Sequence, residues 1–360
     1  MNKNQNHYVI IMAGGIGSRF WPVSKKSFPK QFMDILGTGK SLITQTYERF
    51  SQFVPEENIF IVTNQDYVEL VQEHIPSIQR HQILEEPMAR NTAPCIALAS
   101  YKLKQLNPDA VCIIAPSDHL IAQESQFIDI ALKALDFASK TDALVTLGIK
   151  PSRPDTGYGY IQFNPQANNE GIHGVKTFTE KPTEEIAKSF IESGEFLWNA
   201  GIFVWNNRTI LNRFETNLSE IHSLFCDLDF KAPNISIELE KAYGQCPSIS
   251  IDYGILEKEK DVFVIPSDFG WSDLGTWKSL WDVSDKDEIR NSLIGQNIRT
   301  YQSSDNLVFS TNEKLVVLSG VNNMVVVDSE DVLLIMDKDK EQELRNIVNE
   351  IKDKFKGKYN

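Results

Sequence analysis

The sequence predicts an α/β protein with a Rossmann-like, doubly wound sheet, followed by a smaller β-rich segment. Up to about residue 290, apolar runs of strand length alternate with stretches of helical periodicity, which is typical of βαβ units. The first apolar run, Val9 to Met12, leads into a glycine-rich loop, as in sheets that bind ligands beyond the carboxyl ends of their strands. After about residue 290, short β-rich runs separated by Asn, Asp, Ser and Gly predict regularly spaced strands instead.

The individual elements follow from apolar periodicity and from residues that begin helices. Ser41 is placed to cap a helix that runs to about Phe53, with apolar side chains on one face. The stretch from Glu341 to Lys358 also has one apolar face, which predicts a helix that docks on the protein or forms an oligomer contact. The other expected helices are Asp66 to His74 and Thr92 to Leu103, and the expected strands include Ile59 to Thr63, Gln82 to Leu84, Ala110 to Ile114, Leu144 to Ile149, Ile161 to Phe163, Val175 to Phe178, Ile202 to Trp205, Leu307 to Ser310, Leu315 to Leu318, Met324 to Val327 and Val332 to Met336.

Composition and charge exclude several classes of protein. The 360 residues are 41% hydrophobic and 24% charged, an ordinary globular composition with room for a large domain and an appendage. The net charge of −13 argues against nucleic-acid or membrane partners, because both kinds of binding depend on clustered Lys and Arg. The four cysteines form no C-x-x-C pair, and no apolar stretch is long enough for a signal peptide or a membrane span. We therefore expect a cytoplasmic protein.

The loop from Ala13 to Gly17 removes side chains where phosphate groups could lie against backbone N–H groups. Arg19 can hold phosphate oxygens in a planar fork, and Lys30 can place a compact charge on a second phosphate. The dinucleotide fingerprint fails because Phe20 stands where its third glycine belongs, and the P-loop pattern fails as well. A tight turn from strand to helix is the alternative explanation.

The residues around this loop resemble the signature of sugar-nucleotide pyrophosphorylases, specifically the mannose-1-phosphate guanylyltransferases. That signature, G-G-x-G-x-R-L-W-P-x-S-x-x-x-x-P-K-Q, matches Gly14 to Gln31 except that Phe20 replaces the usual Leu. Further motifs of the family occur in order as far as about residue 285. The resemblance implies a mixed sheet of the nucleotide-diphospho-sugar transferase type in residues 1–288, and a small β-helix-like segment with a terminal helix in residues 289–360.

A second block, Glu86 to Pro94, precedes an apolar helix and resembles the family motif E-P-x-x-R-N-T-A-P. By spacing alone, Asn91 or Thr92 fits the N-cap of that helix. The resemblance implies in addition that this block forms part of the pocket for the nucleotide base and ribose. The predicted nucleotide-binding residues are Ala13, Gly14, Gly15, Gly17, Arg90, Asn91, Thr92 and Ser117.

Two aspartates are the candidates for binding Mg²⁺. Asp118 comes just after a predicted buried strand, where a carboxylate can share a hard cation with phosphate oxygens. A turn or helix cap is its alternative role, and the resemblance to the family's metal-binding Asp favours the metal. Asp273 lies in a W-x-D-x-G-x-W pattern of bulky apolar residues and glycines, and a buried Asp without a partner is costly. If both hold one ion, they repel each other without it, so replacing either is expected to leave the apo fold intact or more stable.

The sugar-binding candidates come from further motifs shared with the family. In T-G-Y-G-Y-I, Gly159 lets the backbone approach a ligand and Tyr158 can contact a sugar face. In F-x-E-K-P, the resemblance places Glu180 on sugar hydroxyls and Lys181 on the sugar phosphate, unless the two form an ordinary surface ion pair. Asn199 and Asp252 have the structural alternatives of a turn before a strand and a helix cap. The predicted sugar-binding residues are Tyr158, Gly159, Glu180, Asn199, Gly201 and Asp252, and the predicted catalytic residues are Arg19, Lys30 and Lys181.

The resemblance implies that the protein makes GDP-mannose and pyrophosphate from GTP and mannose 1-phosphate, with Mg²⁺ as cofactor, for polysaccharide biosynthesis. The sugar phosphate arrives already ionised, so catalysis requires positioning and charge neutralisation more than a protein base. A pyrophosphorylase for another sugar or base, and a non-catalytic relative that only binds sugar nucleotide, are the alternatives. An NAD-dependent oxidoreductase is disfavoured by the missing third glycine. We also expect that the C-terminal segment can support a homodimer.

Overall fold

The structure, a computed structural model, describes residues 3–15, 18–166 and 171–359. Gly17, one of the predicted nucleotide-binding residues, lies outside these ranges. The chain divides into two compact units. Unit 1 consists of Met1–Gly14, Tyr47–Ser117 and Ile121–Trp271, and unit 2 consists of Gly15–Thr46, Asp118–Leu120 and Ser272–Asn360.

The strands and helices predicted from the sequence occur in the predicted order, and the structure adds further elements between them. The strands are β1 (His7–Met12), β2 (Ile59–Asn64), β3 (Ile83–Glu86), β4 (Val111–Pro116), β5 (Leu120–Ile121), β6 (Leu144–Ile149), β7 (Gly159–Phe163), β8 (His173–Glu180), β9 (Phe196–Asn206), β10 (Val262–Ser267), β11 (Trp271–Ser272), β12 (Ser292–Ile294), β13 (Ile298–Tyr301), β14 (Leu307–Ser310), β15 (Val316–Ser319), β16 (Met324–Asp328) and β17 (Leu333–Asp337). The α-helices are α1 (Leu42–Ser51), α2 (Val68–His74), α3 (Thr92–Leu106), α4 (Glu124–Lys140), α5 (Glu184–Ser193), α6 (Asn207–Asn217), α7 (Ser219–Phe225), α8 (Ile235–Gln245), α9 (Ile251–Gly254), α10 (Trp277–Val283) and α11 (Leu344–Lys354).

The described part of unit 1 contains a nine-stranded mixed sheet in the order β3-β2-β1-β4-β9-β6-β10-β8-β7. Strands β1, β2, β3 and β4 are parallel neighbours, and β9 runs antiparallel to β4 and β6. Because parallel strands end at the same edge, the loops that follow β1, β3 and β4 leave this sheet side by side. The predicted fold class, a doubly wound mixed sheet, is confirmed.

The apolar sequence of α3 reflects burial on more than one side. Helix α3 contacts β1, β2 and β3 as well as α6 and α7, and most of its residues from Ala93 to Leu103 are buried. A helix enclosed in this way cannot keep a polar face, so its side chains are apolar nearly all round. This packing fixes the start of α3, and therefore Asn91 and Thr92, against the sheet.

Strand β9 is longer than the sequence predicts. The apolar run Ile202 to Trp205 is only its second half, and the strand begins at Phe196 because its first half pairs with β7, with Tyr160 opposite Trp198. Asn199 therefore lies within a strand, and the alternative role considered for it, a turn before the strand, does not apply. A register shift in the pairing of β6 with β9, between Thr146 and Gly148, accompanies this change of neighbours.

In unit 2, the described residues 292–328 form a small β-helix. Strands β12, β14 and β16 stack in parallel, β13 and β15 form a second parallel pair, and β17 closes the first sheet antiparallel to β16. The turns are held by amide side chains, since Asn306 Nδ2 donates to Asn291 Oδ1 (2.9 Å) and to Val321 O (2.8 Å). The β-helix-like appendage is thus confirmed, and its interior side chains are Ile298, Val308, Leu318 and Val326.

The terminal helix docks on its own unit. Helix α11 begins at Leu344, later than expected, because Lys338–Glu343 form a 3₁₀ helix. Leu344 and Val348 are buried in an apolar cluster that includes Trp21 and Trp277. Of the two roles expected for this helix, intramolecular docking is therefore what the structure shows. No helix among the described residues is both long enough and apolar enough to cross a membrane.

Candidate active site

Unit 2 contains a cleft of about 240 Å³, here called the Lys30 cleft, in which several predicted residues meet. Arg19 and Lys30 come from the signature loop, Asp118 follows β4, and Asp273 precedes α10. Three segments that are far apart in sequence thus converge on one cleft. Its lining consists of Arg19, Phe20, Lys30, Asp118, His119, Asp273, Leu274 and Gly275.

Lys30 is the centre of this cleft. Its side chain is only 4% exposed, and its Nζ lies 3.0 Å from Asp118 Oδ2 and donates to the backbone carbonyl of Asp273 at 2.6 Å. The ammonium also lies 5.6 Å from the centre of the Phe20 ring, a cation–π contact. The sequence predicts a lysine that reaches for phosphate, and the structure shows in addition that Lys30 links the two aspartate segments.

The charge of Asp118 is stabilised by this arrangement. Partial burial acts to raise the pKa of the Asp118 carboxyl, but the positive charge of Lys30, helped by His119 and by the hydrogen bond from Lys30, outweighs it and lowers the pKa. Asp118 is therefore ionised at neutral pH. An ionised carboxylate is the form that can bind a cation.

Asp273 is neither fully buried nor without a partner, so the sequence argument from an isolated buried carboxylate is wrong in its premise. The residue is partly exposed, and its Oδ1 accepts a hydrogen bond from the N–H of Gly275 at 2.9 Å. A Cβ at position 275 would come within 2.6 Å of Asp273 Oδ2, so glycine is needed for the carboxylate to keep this position. The turn around Asp273 therefore orients its carboxylate in the cleft.

The donor chemistry of the Lys30 cleft fits Mg²⁺. The described residues contain no group of three or more His, Cys, Asp or Glu side chains arranged to hold a metal. Mg²⁺ commonly takes only one or two carboxylates and completes its octahedron with water and substrate phosphates. Asp118 and Asp273 lie in one cleft and would offer two hard oxygen ligands to such an ion, which matches this pattern.

The start of the signature, at Gly14, lies just beyond the carboxyl end of β1 in the unit 1 sheet. Ala13 O accepts a hydrogen bond from Thr63 Oγ1 at 2.9 Å, and the N–H of Ser117 donates to Met12 O at 3.0 Å. A Cβ on Gly14 would lie 3.2 Å from Glu86 Oε2. This edge of the sheet therefore brings Gly14 against a carboxyl group that the sequence analysis did not single out.

Glu86 is a buried carboxyl at the end of β3, only 6% exposed. Burial raises its pKa to about 7, although the hydrogen bond from the Tyr243 hydroxyl (3.2 Å) acts in the opposite direction. Such shifts cluster at functional sites because burial there serves binding or proton transfer. The sequence signal that could have identified Glu86 is its position, since it is the last residue of a strand beside the glycine loop.

Arg90, Asn91 and Thr92 all make structural contacts. Arg90 Nε donates to Tyr243 O at 3.0 Å, and the Asn91 side chain accepts from the N–H of Thr92 at 2.8 Å as the N-cap of α3. Thr92 Oγ1 accepts from the N–H of Ile251 at 2.9 Å. The capping role considered for this block is thus present. Nucleotide binding by these side chains stays a prediction.

Unit 1 contains a depression, here called the Asp252 pocket, that is lined by most of the predicted sugar-binding residues. Asn199 Nδ2 donates to Asp252 Oδ1 at 2.8 Å, and Asn199 Oδ1 accepts from the N–H of Gly201 at 3.0 Å. Gly201 has a φ of +65°, which side chains other than glycine rarely adopt. The lining consists of Gly159, Tyr160, Phe178, Thr179, Glu180, Asn199, Asp252 and Glu257.

Three carboxylates face this pocket. Burial, and then the charges of neighbouring carboxylates, raise the pKa of Glu257, and burial raises the pKa of Asp252 despite its hydrogen bond from Asn199. Lys181 does not line the pocket; its Nζ pairs with Glu180 Oε1 at 2.7 Å, which is the ion pair considered as the alternative. A set of carboxylates and one amide can accept hydrogen bonds from several hydroxyl groups, as a sugar ring requires.

Tyr158 lies outside the Asp252 pocket lining, in an aromatic cluster. Its ring contacts Trp198 and Trp271 edge-to-face, with centroids 5.0 and 5.3 Å away. The guanidinium of Arg153 lies 5.8 Å from the Tyr158 ring and pairs with Asp155. Tyr158 therefore helps to hold the T-G-Y-G-Y-I loop, and a contact with a sugar face stays a prediction.

Comparison with known proteins identifies the family. The nucleotidyl transferase family matches residues 8–290, and the mannose-phosphate isomerase/GMP-like β-helix domain matches residues 302–351. The chain is 37% identical over 355 residues to a mannose-1-phosphate guanylyltransferase of Salmonella muenchen, covering 95% of this chain and 73% of that protein. The chain belongs to the mannose-1-phosphate guanylyltransferase family of nucleotidyltransferases.

Two other relatives agree with this assignment. The alginate biosynthesis protein AlgA of Pseudomonas putida is 36% identical over 347 residues, covering 94% of this chain and 70% of that protein. The crystal structure of a mannose-1-phosphate geranyltransferase from Thermus thermophilus matches with a TM-score of 0.87 and 29% identity, over 96% of this chain and 99% of that one. The guanylyltransferase family and the nucleotidyltransferase class predicted from the sequence are confirmed, and the NAD-dependent alternative is excluded.

Proposed function

We propose that this protein catalyses the formation of GDP-mannose and pyrophosphate from GTP and mannose 1-phosphate. The observation that supports this most strongly is the convergence of Arg19, Lys30, Asp118 and Asp273 on the Lys30 cleft. Two cations and two carboxylates are what a nucleotidyl transfer needs, because they can bind phosphate directly and through a metal ion. A protein that only bound sugar nucleotide would have no need for the pair of carboxylates.

The reaction exchanges one phosphoanhydride bond for another. An oxygen of the mannose 1-phosphate forms a bond to the α-phosphorus of GTP, while the bond from that phosphorus to the oxygen bridging to the β-phosphorus breaks. The bridging oxygen leaves with pyrophosphate, so negative charge develops there in the transition state. No proton has to be removed from the nucleophile, which agrees with a cleft built from charged groups.

The residues of the Lys30 cleft take complementary roles in this proposal. Arg19 is exposed and can close its planar guanidinium on the departing phosphates. Lys30 keeps Asp118 ionised and can shift its ammonium towards a phosphate when a divalent cation neutralises that carboxylate. Asp118 and Asp273 would hold Mg²⁺, which supplies charge neutralisation on the phosphate oxygens.

In unit 1, the proposal assigns Ala13, Gly14 and Glu86 to the nucleotide. A carboxylate can accept two hydrogen bonds from the N–H groups on one edge of guanine, whereas uracil and thymine offer a single N–H. The Asp252 pocket is assigned to the sugar, with Glu180, Asn199 and Asp252 accepting from its hydroxyls. Lys181 is assigned to the sugar phosphate, which would draw it away from Glu180.

The location and the assembly are also part of the proposal. We infer a cytoplasmic enzyme, supported by four cysteines that are all free thiols, as a reducing compartment maintains them.

We infer a homodimer through the C-terminal unit, supported by large apolar side chains exposed on its β-helix. These side chains are Leu293, Tyr301, Leu315, Val317, Leu333 and Ile335. Light scattering coupled to size exclusion tests the dimer, and a monomer at working concentration would contradict it.

The test of the proposed activity is a matrix of pyrophosphate-release assays with four nucleoside triphosphates and several sugar 1-phosphates. We expect GTP with mannose 1-phosphate to give the highest kcat/KM. A clear preference for UTP or dTTP would indicate a pyrophosphorylase for another base. Tight binding of GDP-mannose without pyrophosphate release in any combination would indicate a non-catalytic relative.

A further inference from the structure

Unit 2 contains a second cavity, of about 390 Å³, between the signature loop and helix α11. It is here called the cationic cavity. Five of its lining residues are Arg or Lys, from the loop and from the helix, and only one is acidic. The lining consists of Arg19, Trp21, Ser24, Lys25, Lys26, Thr276, Trp277, Glu341, Gln342, Leu344, Arg345, Val348, Asn349 and Lys352.

This concentration of positive charge is unusual for a chain with a net charge of −13. Lys25 is compensated by Asp331, 3.0 Å from its Nζ. In contrast, Arg19, Arg345 and Lys352 form no ion pair with any residue that the structure describes. Like charges left unpaired around one cavity repel each other, and they are stabilised when an anion binds between them.

The single acidic residue of the lining offsets only one of the five positive charges. Glu341 accepts a hydrogen bond from the N–H of Lys278 at 2.9 Å, so its carboxylate is held at the start of α10. The cavity walls are also fixed, since Trp21 Nε1 donates to Tyr359 O at 2.7 Å and Trp277 Nε1 donates to Trp21 O at 3.2 Å. A rigid apolar floor beneath a rim of cations suits a compact polyanion, because binding it requires little rearrangement.

We propose that the cationic cavity is a second, non-catalytic binding site for a diphosphate or triphosphate group. Arg345 and Lys352 lie on α11 at positions 345 and 352, two turns apart on one helix face, and the loop cations lie across the cavity from them. The phosphate group can come from free pyrophosphate or from a nucleoside triphosphate, which present the same charged oxygens.

Arg19 gives this site an effect on the reaction. The same side chain lines the Lys30 cleft and the cationic cavity, and it can bind phosphate in only one of them at a time. An anion in the cationic cavity therefore withdraws Arg19 from the Lys30 cleft and slows turnover. This consequence rests on the proposed function, whereas the existence of the binding site does not.

Binding stoichiometry tests the site directly. The variant Arg345→Gln/Lys352→Gln removes two exposed cavity cations, and Lys340→Gln/Lys354→Gln removes two exposed cations of the same unit that do not line the cavity. Equilibrium dialysis with labelled pyrophosphate and excess Mg²⁺ is expected to show one site fewer per chain in the cavity variant than in the control variant. Equal stoichiometry in the two variants would overturn the proposal, and equal melting temperatures show that both are folded.

Kinetics then test the effect on turnover and identify the source of the phosphate. At saturating GTP, pyrophosphate is expected still to inhibit the wild type and the control variant in part. It is expected not to inhibit the cavity variant. If the nucleotide is the occupant, inhibition by excess GTP disappears in the cavity variant instead. Unchanged inhibition by both compounds in the cavity variant would refute the regulatory effect. Absence of GDP-mannose synthesis in the wild type would refute the proposed function and leave the dialysis result valid.

Discussion

Replacement of Glu86 by glutamine is expected to stabilise the protein in a pH-dependent manner. Glu86 is 6% exposed, and burial raises its pKa to about 7, from an ordinary value of 4.5. Between these two values the folded state holds a proton that the unfolded state has released. The free energy of unfolding therefore falls as the pH rises from about 4.5 to about 7, and the loss persists above that range.

The size of the stability change follows from the shift in the pKa of Glu86. Each pKa unit corresponds to about 1.4 kcal/mol, so the shift from 4.5 to about 7 corresponds to about 3 kcal/mol of lost stability above about pH 8. Glu86→Gln keeps the shape of the side chain and an oxygen that can accept from Tyr243. We expect this variant to exceed the wild type by about 2 to 3 kcal/mol at pH 8 and by under about 1 kcal/mol at pH 5.

Urea unfolding at pH 5, 6, 7 and 8 measures this difference. Glu85→Gln is the matched control, because it removes the same charge from the same strand at a more exposed position where Glu85 pairs with Arg80. That control is expected to change stability by less than about 1 kcal/mol at every pH. A stability difference for Glu86→Gln that does not grow between pH 5 and pH 8 would refute the buried, high-pKa carboxyl.

Three further outcomes are expected. Arg19→Lys keeps the charge but loses the planar fork, so kcat should fall by more than about tenfold while KM for mannose 1-phosphate changes little; near-normal turnover would return Arg19 to a structural role. Asp118→Asn should lower the free energy of unfolding by about 2 kcal/mol, because it leaves the buried ammonium of Lys30 without its carboxylate, and a urea midpoint equal to that of the wild type would contradict this. Gly159→Ala should raise KM for mannose 1-phosphate several-fold and leave the melting temperature nearly unchanged, because the new Cβ would come within 2.5 Å of Glu180 Oε2 and displace that carboxylate. An unchanged KM would argue against Glu180 as a sugar ligand.

The Asp118 prediction reverses an expectation from the sequence. Two carboxylates around one metal are expected to repel each other, so replacing either should not cost stability. The structure shows that Lys30, 88 residues before Asp118, already neutralises that carboxylate. Nothing in the local sequence of either residue indicates this pairing, because it depends on the tertiary fold that brings the two segments together.

The positions of the strands were predictable where a strand is one apolar run. Strand β6 has the predicted bounds Leu144–Ile149, and all of its residues are buried within the interior of the sheet. Strand β9 was predicted only in part, since its first half is defined by pairing with β7 and contains the polar Asn199. Apolar periodicity identifies what is buried, and it does not identify which distant strand will supply hydrogen bonds.

In the candidate site, too, the sequence predicted some features and missed others. The signature motif and the two aspartate motifs led to Arg19, Lys30, Asp118 and Asp273, and the structure places all four in one cleft. Glu86 was not among the predicted site residues, because its importance depends on its burial beside Gly14. A sequence motif does not show such burial. Side-chain partners, in contrast to residue identity, are a property of the tertiary fold.

The most direct test of the central claim is a double-mutant cycle at Asp118 and Asp273, measured as kcat with GTP and mannose 1-phosphate over a range of Mg²⁺ concentrations. If both carboxylates hold one ion, each Asp→Asn change should nearly abolish turnover at ordinary Mg²⁺, and the double variant should be little worse than the worse single variant. Losses that simply multiply, or a single variant that keeps ordinary activity at ordinary Mg²⁺, would show that the two residues do not act on a shared ion in the Lys30 cleft.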